Sequence, residues 1–428
     1  MTALFGWGRY PVVDATVIDG ENLTAATRDA VLSRGLGRAY GDAALPPAGC
    51  ARPVAWTPRA DRILSFDDAT GILRAEAGLS LGALARLFLP RGFFSPVSTG
   101  TRYVTLGGMV ASDIHGKNHH SHGTFARTVR ALRMRVADGR VLEVSRTAHP
   151  ALFHATFGGM GLTGHVLEVE LELARIPSPW IWERSERYGS FPEMFEALSA
   201  ASQAFPMTAG WVDTSSTGAR RGRGIVISGR WATPGEAPPE PPTLGRGLPV
   251  PVVLPSGICN RTTFKWANAL WWHKHGAAKI EHVVPPNAHF WQLDLARDWN
   301  RLYGKRGFTQ YQCVMPTDLQ VYDAFLQKFQ ALGGTSFVTV FKDCGDEGEG
   351  LLSFPKRGTS LALDVPIRSL DETARMVREL NAFVIDHGGR VYLAKDAFTT
   401  ADEFRRMYPR WEAFQAVRDE WDPDRRLR

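Results

Sequence analysis

The chain has 428 residues, more than one hydrophobic core usually organises, so we expect two domains. Hydrophobic residues make up 44% of the sequence and charged residues 22%, which excludes a disordered or fibrous protein. The formal net charge is +6, and no basic stripe with interleaved aromatics occurs. This pattern argues against nucleic acid as a partner. It leaves an ordinary solvated surface, or attraction to an anionic ligand or an acidic lipid surface.

The cysteine spacing and the N-terminal sequence indicate where in the cell the protein is expected. The cysteines Cys50, Cys259, Cys313 and Cys344 form no C-x-x-C pair, so no metal or redox motif is predicted and a reducing compartment fits. Residues 1–10 lack the basic region and apolar core of a signal peptide. No apolar run approaches the roughly 18 residues of a membrane span. We therefore expect a cytoplasmic protein, or one at the periphery of a membrane.

Short strands and helices are predicted to alternate through residues 1–175. The Asp138-Gly139 pair marks a tight turn between two strand-like runs. Val166–Leu173 alternates apolar and acidic residues, which indicates a strand with one solvent-facing side. The predicted elements are the strands Ile72–Ala77, Val129–Val136, Val141–Val144 and Val166–Leu173 and the amphipathic helix Leu81–Phe88.

From residue 176 onward the patterns predict an antiparallel sheet covered by helices. The predicted strands are Gly224–Ser228, Gln310–Met315, Ser336–Phe341 and Leu361–Val365, and the helices are Leu319–Leu332 and Asp371–Asp386. The proline-rich residues 233–255 are predicted to form a mobile loop, either a lid or a tolerated insertion. The resulting fold class is α+β. The domains are predicted at residues 1–175 and 176–392, with residues 393–428 returning to the first.

The first of three glycine-rich loops spans Arg34–Asp42, directly after a short apolar run. Its three glycines allow successive backbone N–H groups to converge, which suits a pyrophosphate, and Arg34 or Arg38 would add positive charge. The loop lacks both the G-x-G-x-x-G spacing that opens a helix and the lysine of a P-loop, so the Rossmann and Walker interpretations fail. Alone, it is equally typical of an ordinary turn.

The second loop runs from Pro96 through the Gly107-Gly108 pair to His120. Its end holds several histidines, but a metal site is disfavoured. Only Asp113 supplies a nearby carboxylate, and Gly116 interrupts the helical spacing that a His-x-x-x-His pair needs. Polar groups beside two glycines favour the wall of a hydrogen-bonded ligand site.

The third loop, Phe157–His165, has four glycines in seven residues and leads into the predicted strand at Val166. Such a segment lets a flat ring system lie against the backbone. Thr163 is a candidate donor to that ring; the alternative is a cluster of β-bulges. The three loops together predict a cofactor site more strongly than any one of them.

These motifs resemble the vanillyl-alcohol-oxidase family of FAD-binding oxidoreductases. The resemblance implies a two-domain FAD-binding fold of the PCMH type, with an antiparallel-sheet substrate domain covered by helices. The string Asp113–His120 is typical of one group in that family, which oxidises polyprenyl-phosphate-linked pentoses. The matching segments are Gly6–Arg9, Arg34–Asp42, Gly100–His120, Phe157–Gly164, Gln310–Gln312, Val340–Lys342, Leu352–Pro355, Asp364–Ile367, Gly388–Asp396 and Met407–Arg410.

The resemblance also implies residue roles. The residues expected to bind FAD are Gly35, Gly37, Arg38, Tyr40, Gly41, Thr101, Gly107, Gly108, Asp113, His115, Gly116, Asn118, Gly161, Thr163, Gly164, Val166 and Tyr392. The residues expected to face the substrate are Gln312, Lys342, Ser360 and Ala362, and the expected catalytic residues are Lys395, His115 and Lys117. Many oxidases of the family attach the flavin through a histidine in the first loop. Arg38 stands at the matching position, so we expect non-covalent FAD and no metal.

The implied reaction is oxidation of the 2-hydroxyl of a lipid-linked pentose to a 2-keto intermediate, the first half of a 2′-epimerisation. An NAD(P)H-dependent keto-reductase would then be the partner enzyme. Two departures keep alternatives open, because Ala362 and Ser360 stand where the group has a cysteine and an asparagine. A soluble sugar, alditol or aminosugar oxidase is one alternative, and a flavoprotein subunit without turnover is another. Peripheral membrane contact is a further expectation.

Overall fold

The computed structural model describes residues 1–275 and 279–428. In the first 175 residues, the strands are β1 (Thr2–Phe5), β2 (Val12–Ala15), β3 (Val17–Asp19), β4 (Leu32–Arg34), β5 (Val54–Trp56), β6 (Ile63–Phe66), β7 (Ile72–Glu76), β8 (Phe93–Phe94), β9 (Val129–Arg135), β10 (Val141–Ser145), β11 (His165–Glu172) and β12 (Ala174–Arg175). The helices are α1 (Leu23–Ala26), α2 (Leu81–Phe88), α3 (Leu106–Ala111), α4 (His119–His122) and α5 (Pro150–Thr156).

The remaining elements follow in chain order. The strands are β13 (Ile181–Tyr188), β14 (Met207–Val212), β15 (Gly224–Trp231), β16 (Leu248–Pro249), β17 (Ile280–Val284), β18 (Ala296–Arg297), β19 (Phe308–Met315), β20 (Thr339–Cys344), β21 (Gly358–Pro366) and β22 (Arg390–Val391). The helices are α6 (Phe191–Ala204), α7 (Arg261–Lys274), α8 (Pro286–Phe290), α9 (Leu319–Ala331), α10 (Leu370–Asp386), α11 (Ala401–Met407) and α12 (Trp411–Trp421).

Two sheets organise the N-terminal region. A parallel sheet has the order β3-β5-β4, and a five-stranded antiparallel sheet has the order β10-β9-β11-β7-β6. A hydrogen bond of 2.8 Å between Ser33 and His165 joins β4 to the start of β11. Helix α2 begins at Ser80, whose side chain accepts from the backbone of Ala83, and it buries Leu81, Leu84, Ala85 and Phe88 on one face.

An eight-stranded antiparallel sheet organises the second region, in the order β17-β13-β15-β14-β20-β21-β19-β22. Helices α6, α9 and α10 pack on one face of it. On β19, Tyr311 donates to Asn381 of α10, whereas its neighbours Gln310 and Gln312 face a cavity on the other side. This alternation follows from the period of two along a strand.

The observed elements confirm the α+β class and the helix-covered antiparallel sheet. One predicted strand is displaced: Ser336–Phe341 is observed as β20, starting at Thr339. The reason is that the backbone groups of Ser336 bond to the side chain of Thr214 instead of to a neighbouring strand. The C-terminal residues contact the first 175 residues, since α12 packs on α5 and Arg428 donates to the carbonyl of Val31.

Residues 233–255 are irregular, apart from β16, which pairs in parallel with β18. Arg102 donates to the carbonyl of Gly245, and the Tyr103 hydroxyl donates to the carbonyl of Arg246 at 3.3 Å. The segment therefore packs beside the second glycine-rich loop, and its mobility stays a prediction. In the described ranges, no helix is both long enough and apolar enough to cross a membrane.

Candidate active site

A cavity of about 940 Å³ lies between the three glycine-rich loops and the inner face of the eight-stranded sheet. That volume is near the upper end of the roughly 300–1,000 Å³ found for small-molecule and cofactor sites. Glycines and small side chains from the loops line one part of the cavity, and polar side chains from β19, β20 and β21 line another. The site therefore has a glycine-rich end and a charged end.

The first loop presents an arginine to the cavity. Arg34 is used within the protein, because it donates to the carbonyls of Phe5 and Ala44 at 2.6 and 2.9 Å and so holds the loop in place. Arg38 instead lines the cavity, with its guanidinium carbon 3.8 Å from the centroid of a Trp7 ring. The Nε of Arg38 is buried and has no hydrogen-bond partner among the described residues. Arg38 is thus the group of this loop that is free to bind an anion.

The second loop approaches the first so closely that a side chain is excluded. A Cβ added at Gly35 would lie 2.3 Å from the Thr105 hydroxyl, which in turn accepts from the backbone of Gly108 at 3.3 Å. Thr101 is fixed by donating to Asp294 at 2.6 Å. The requirement for glycine at residue 35 is therefore steric, and the two loops form one continuous wall.

The third loop leaves open space in front of its backbone. Gly161 has φ +83°, and a Cβ added there would meet nothing within 4 Å. A Cβ at Gly164 would lie 2.8 Å from the carbonyl oxygen of Arg135. Val166 continues the wall along β11. A flat ring can therefore approach this part of the backbone without meeting a side chain.

These walls fit FAD. The buried, unpartnered Nε of Arg38 suits the pyrophosphate, and the side-chain-free surface at Gly161 suits the flavin ring. Further loop residues that line the same cavity and would hold the cofactor are Gly35, Gly37, Tyr40, Thr101, Gly107, Gly108, His115, Gly116, Gly164, Val166 and Tyr392. Within residues 1–275 and 279–428, no group of three or more His, Cys, Asp and Glu residues could hold a metal ion.

At the charged end, His115 meets the sheet. Its Nε2 lies 3.0 Å from the Gln312 amide nitrogen, and that nitrogen lies 3.2 Å from the Ser360 hydroxyl. Burial, with help from the charge on Lys342, lowers the pKa of His115 well below its usual value, so the ring is neutral near pH 7. His115 therefore accepts or donates a hydrogen bond here without bringing a positive charge.

Three lysines converge on the same end, and Lys395 is the most strongly altered. Burial lowers the pKa of Lys395 to about 7, and Lys342 adds to this effect while Asp364 opposes it. The Lys395 Nζ lies 3.6 Å from the centroid of the Tyr40 ring. An amine with this pKa is neutral in a large fraction of molecules at neutral pH, so it can act as a general base.

The other two lysines also have lowered pKa values. Burial lowers the pKa of Lys117 to about 8, although the negative charge of Glu183 opposes the shift. Lys117 donates to the backbone carbonyl of His289, whose ring lies 2.7 Å from Glu183. Burial also lowers the pKa of Lys342. At the pH of the cell these two residues remain candidate cations for an anionic substrate group.

Five of the predicted site residues lie behind the cavity wall and do not line it. Asp113 accepts from the Ala126 backbone and from Ser353, the Asn118 amide donates to the Pro96 carbonyl, and Thr163 pairs with Thr156 at 3.0 Å. Ser360 is fully buried and contacts the ligand space only through Gln312. Gly41 packs against the backbone, because an added Cβ would lie 1.6 Å from the Asp396 carbonyl oxygen. These five residues do not make the expected direct contacts with the ligand space. They support the cavity wall from its other side.

Sequence reasoning missed two carboxylates, Glu183, which lines the cavity, and Asp364, which lies behind Gln310 of the cavity wall. Asp364 accepts from the Gln310 amide at 2.5 Å and from the Tyr303 hydroxyl at 3.4 Å. Burial raises the pKa of Asp364 to about 7, although the bond from Gln310 opposes the shift. A signal was present, because Asp364 follows Ser360 and Ala362 at a spacing of two on one strand. For Glu183, 106 residues distant from His289, no local pattern marks the contact.

The fold and the site define an FAD-dependent oxidoreductase with a partly buried amine beside the cofactor space. Comparison with known proteins supports the same class of enzyme. The family described as FAD binding domain matches residues 16–145, and the family described as D-arabinono-1,4-lactone oxidase matches residues 350–428.

Two relatives match this chain over most of their length, and a third matches it over a shorter segment. Decaprenylphosphoryl-beta-D-ribose oxidase of Mycolicibacterium smegmatis is 36% identical to this chain, covering 98% of this chain and 94% of the relative. An uncharacterized protein in the mprA 5′ region of Streptomyces coelicolor is 32% identical over 81% of this chain and 96% of its own length. A carbohydrate oxidase of Microdochium nivale is 32% identical over 28% of this chain and 24% of its own.

The chain therefore belongs to the vanillyl-alcohol-oxidase family, in the branch that contains decaprenylphosphoryl-β-D-ribose oxidase. The expected PCMH-type fold, the FAD cofactor and an activity on alcohol groups are confirmed.

Proposed function

We propose that this chain oxidises the 2-hydroxyl of a polyprenyl-phosphate-linked pentose, of the decaprenylphosphoryl-ribose type, to the 2-keto compound. The observation that carries the proposal is the convergence of three partly buried lysines, Lys117, Lys342 and Lys395, at one end of an FAD cavity. The similarity to a decaprenylphosphoryl-β-D-ribose oxidase over 98% of the chain supports the same substrate class.

Oxidation of a secondary alcohol removes a proton from oxygen and a hydride from carbon. Bound FAD supplies the two-electron acceptor for the hydride. Lys395 takes the hydroxyl proton at its Nζ, because its lowered pKa keeps the amine partly neutral. His115, held beside Gln312, is the second candidate for the base, and it serves as a hydrogen-bond partner of the reacting oxygen. The products are the ketone, the reduced cofactor and the protonated amine.

The remaining groups bind and orient the substrate. Lys342 and Lys117 supply positive charge toward the phosphodiester of a lipid-linked sugar. Gln312 offers an amide to sugar hydroxyls. Ala362 lines the cavity with only a methyl group, so the wall between β19 and β20 has room for the ring. We infer that the difference from the branch's cysteine changes the fit of the sugar without removing the base.

The proposed reaction is half of an epimerisation. A 2-keto sugar regains a hydroxyl of opposite configuration only if a second enzyme delivers hydride to the other face. We therefore propose an NAD(P)H-dependent keto-reductase as the partner enzyme. A lipid-linked substrate also implies that the protein works in peripheral contact with a membrane.

The proposal is tested by mixing the FAD-loaded protein anaerobically with polyprenyl-phosphate pentoses and, separately, with free pentoses and alditols. We expect bleaching of the flavin absorbance by the polyprenyl-phosphate ribose and none by free sugars at equal concentration. Equal or faster bleaching by free polyols would show a soluble sugar oxidase instead. Bleaching by no compound would favour a flavoprotein without turnover.

A further inference from the structure

Exposed apolar side chains are concentrated in one segment of the chain that also contributes residues to the cavity lining. Of the fourteen large apolar side chains that are exposed in the described residues, eight lie between residues 248 and 295. They are Leu248, Val252, Val253, Ile258, Trp266, Leu270, Ile280 and Leu295, and we call them the mouth surface. Leu295 and Lys274 both line the cavity and are both exposed, so the surface reaches the cavity opening. Strand pairing of Leu248 with Ala296 brings Leu248 close to Leu295, and exposed apolar patches on soluble proteins mark interaction or membrane surfaces.

Helix α7 displays two members of the mouth surface to solvent. Its start is fixed by a capping box at Asn260. Its inner side is pinned by buried Asn268, which donates to Asp213 at 2.9 Å and to the Ser336 carbonyl at 3.2 Å. On the outer side, Trp266 and Leu270 are 75% and 73% exposed, four residues apart and therefore on one face. The packing of the helix thus holds both side chains outward.

The charge of the protein is concentrated in the same segment. Residues 246–306 contain nine Lys and Arg residues against three Asp and Glu residues, so the segment carries +6. The whole chain also carries +6, and the remaining residues are therefore formally neutral. The basic residues are Arg246, Arg261, Lys265, Lys274, Lys279, Arg297, Arg301, Lys305 and Arg306.

We propose that the mouth surface docks the protein on an anionic phospholipid bilayer. Aromatic and aliphatic side chains exposed in a segment rich in cations are typical of a surface that inserts shallowly among headgroups and is held there by negative lipid charge. Docked in this way, the cavity mouth faces the membrane, and a lipid-linked sugar can reach Lys395 while its lipid stays in the bilayer. The role of the mouth surface in substrate access rests on the proposed function, whereas its affinity for lipid does not depend on that function.

The test is co-sedimentation of the FAD-loaded protein with vesicles, which requires no turnover. Vesicles of phosphatidylcholine containing about one third phosphatidylglycerol should bind the protein, and vesicles of phosphatidylcholine alone should bind it about tenfold less or weaker still. Binding to the anionic vesicles should fall as salt is raised, because exposed charges are screened. Failure of the oxidation assay would leave this result standing, so the two proposals fail separately.

Two pairs of variants locate the binding surface. The double variant Trp266→Ser, Leu270→Ser should bind anionic vesicles about tenfold less than the parent. Its matched control, Leu64→Ser, Leu87→Ser, removes two exposed leucines on β6 and α2 and should bind normally.

The charge pair follows the same design. Lys265→Glu, Lys305→Glu should weaken vesicle binding about tenfold. The matched control Arg375→Glu, Arg378→Glu makes the same change of charge on α10, on the far side of the sheet from the cavity, and should have a much smaller effect. All variants should keep the flavin absorbance of the parent, which shows that they fold.

Three outcomes would overturn the proposal. They are a parent protein that binds neither type of vesicle, one that binds both equally, and mouth-surface variants that bind like their controls. Sedimentation of the protein without lipid measures its oligomeric state and so tests whether a second copy of the chain covers the mouth surface instead. If the parent is a dimer and Trp266→Ser, Leu270→Ser makes it a monomer, the mouth surface is an interface between two copies.

Discussion

The ionisation of Lys395 leads to a specific pH dependence. With a pKa of about 7, half of the Lys395 side chains are neutral at pH 7. An ordinary lysine would be neutral in roughly one molecule in 3,000 at that pH. Because only the neutral amine accepts the hydroxyl proton, kcat/KM should fall about tenfold for each pH unit below 7 and level off above it.

The perturbation that tests this cause is Asp364→Asn. Asp364 raises the pKa of Lys395 by its negative charge, and asparagine keeps the shape while removing that charge. The Gln310 amide can still donate to the asparagine carbonyl. A nearby buried charge at an effective dielectric constant near 20 contributes about 1–4 kcal/mol. Since Asp364 is itself only partly ionised near pH 7, we expect the acid limb to move down by about one pH unit.

The assay is anaerobic stopped-flow measurement of flavin reduction across the pH range. The control for loss of one carboxylate is Glu379→Gln, at an exposed position of α10. Lys395→Met should retain FAD, lose about 10²–10⁴-fold in the rate of flavin reduction and show no limb near pH 7. Two results would refute the reasoning. One is a parent profile without an ionisation near pH 7, and the other is a limb that Asp364→Asn leaves in place.

Three further predictions concern the cofactor wall. Gly41→Ala should lower the melting temperature and the activity together, since its Cβ would collide with the Asp396 carbonyl and displace the adjacent Lys395; an unchanged melting curve would contradict this. Because Arg38 stands at the position of attachment, acid precipitation should release all yellow colour into the supernatant, and a yellow pellet would show a covalent flavin. Burial raises the pKa of Asp113 to about 6, so Asp113 binds a proton more tightly when folded and its contribution to stability declines as pH rises from about 4 to 6. Asp113→Asn should remove that decline in denaturant unfolding, and an unchanged pH dependence would exclude it.

Much of the architecture could be predicted because it depends on local patterns. Helix α2 follows from apolar residues at helical spacing after a serine cap, and β11 follows from strict alternation with glutamates. The strand predicted from Ser336 begins only at Thr339, because a bond to Thr214, more than a hundred residues earlier, overrides the local preference at Ser336. The site was predicted less completely, since Asp364 and Glu183 acquire their partners only when separate strands come together.

The sequence by itself determined the cofactor class and the three glycine-rich loops, because a glycine's backbone freedom is a property of the residue wherever it stands. Tertiary structure alone decided which charged residues serve the site. Arg34 and Arg38 share one loop, yet packing against Phe5 and Ala44 occupies the first and leaves the second free. Lys395 becomes a base only because burial removes water from its amine, and burial depends on segments far apart in the chain.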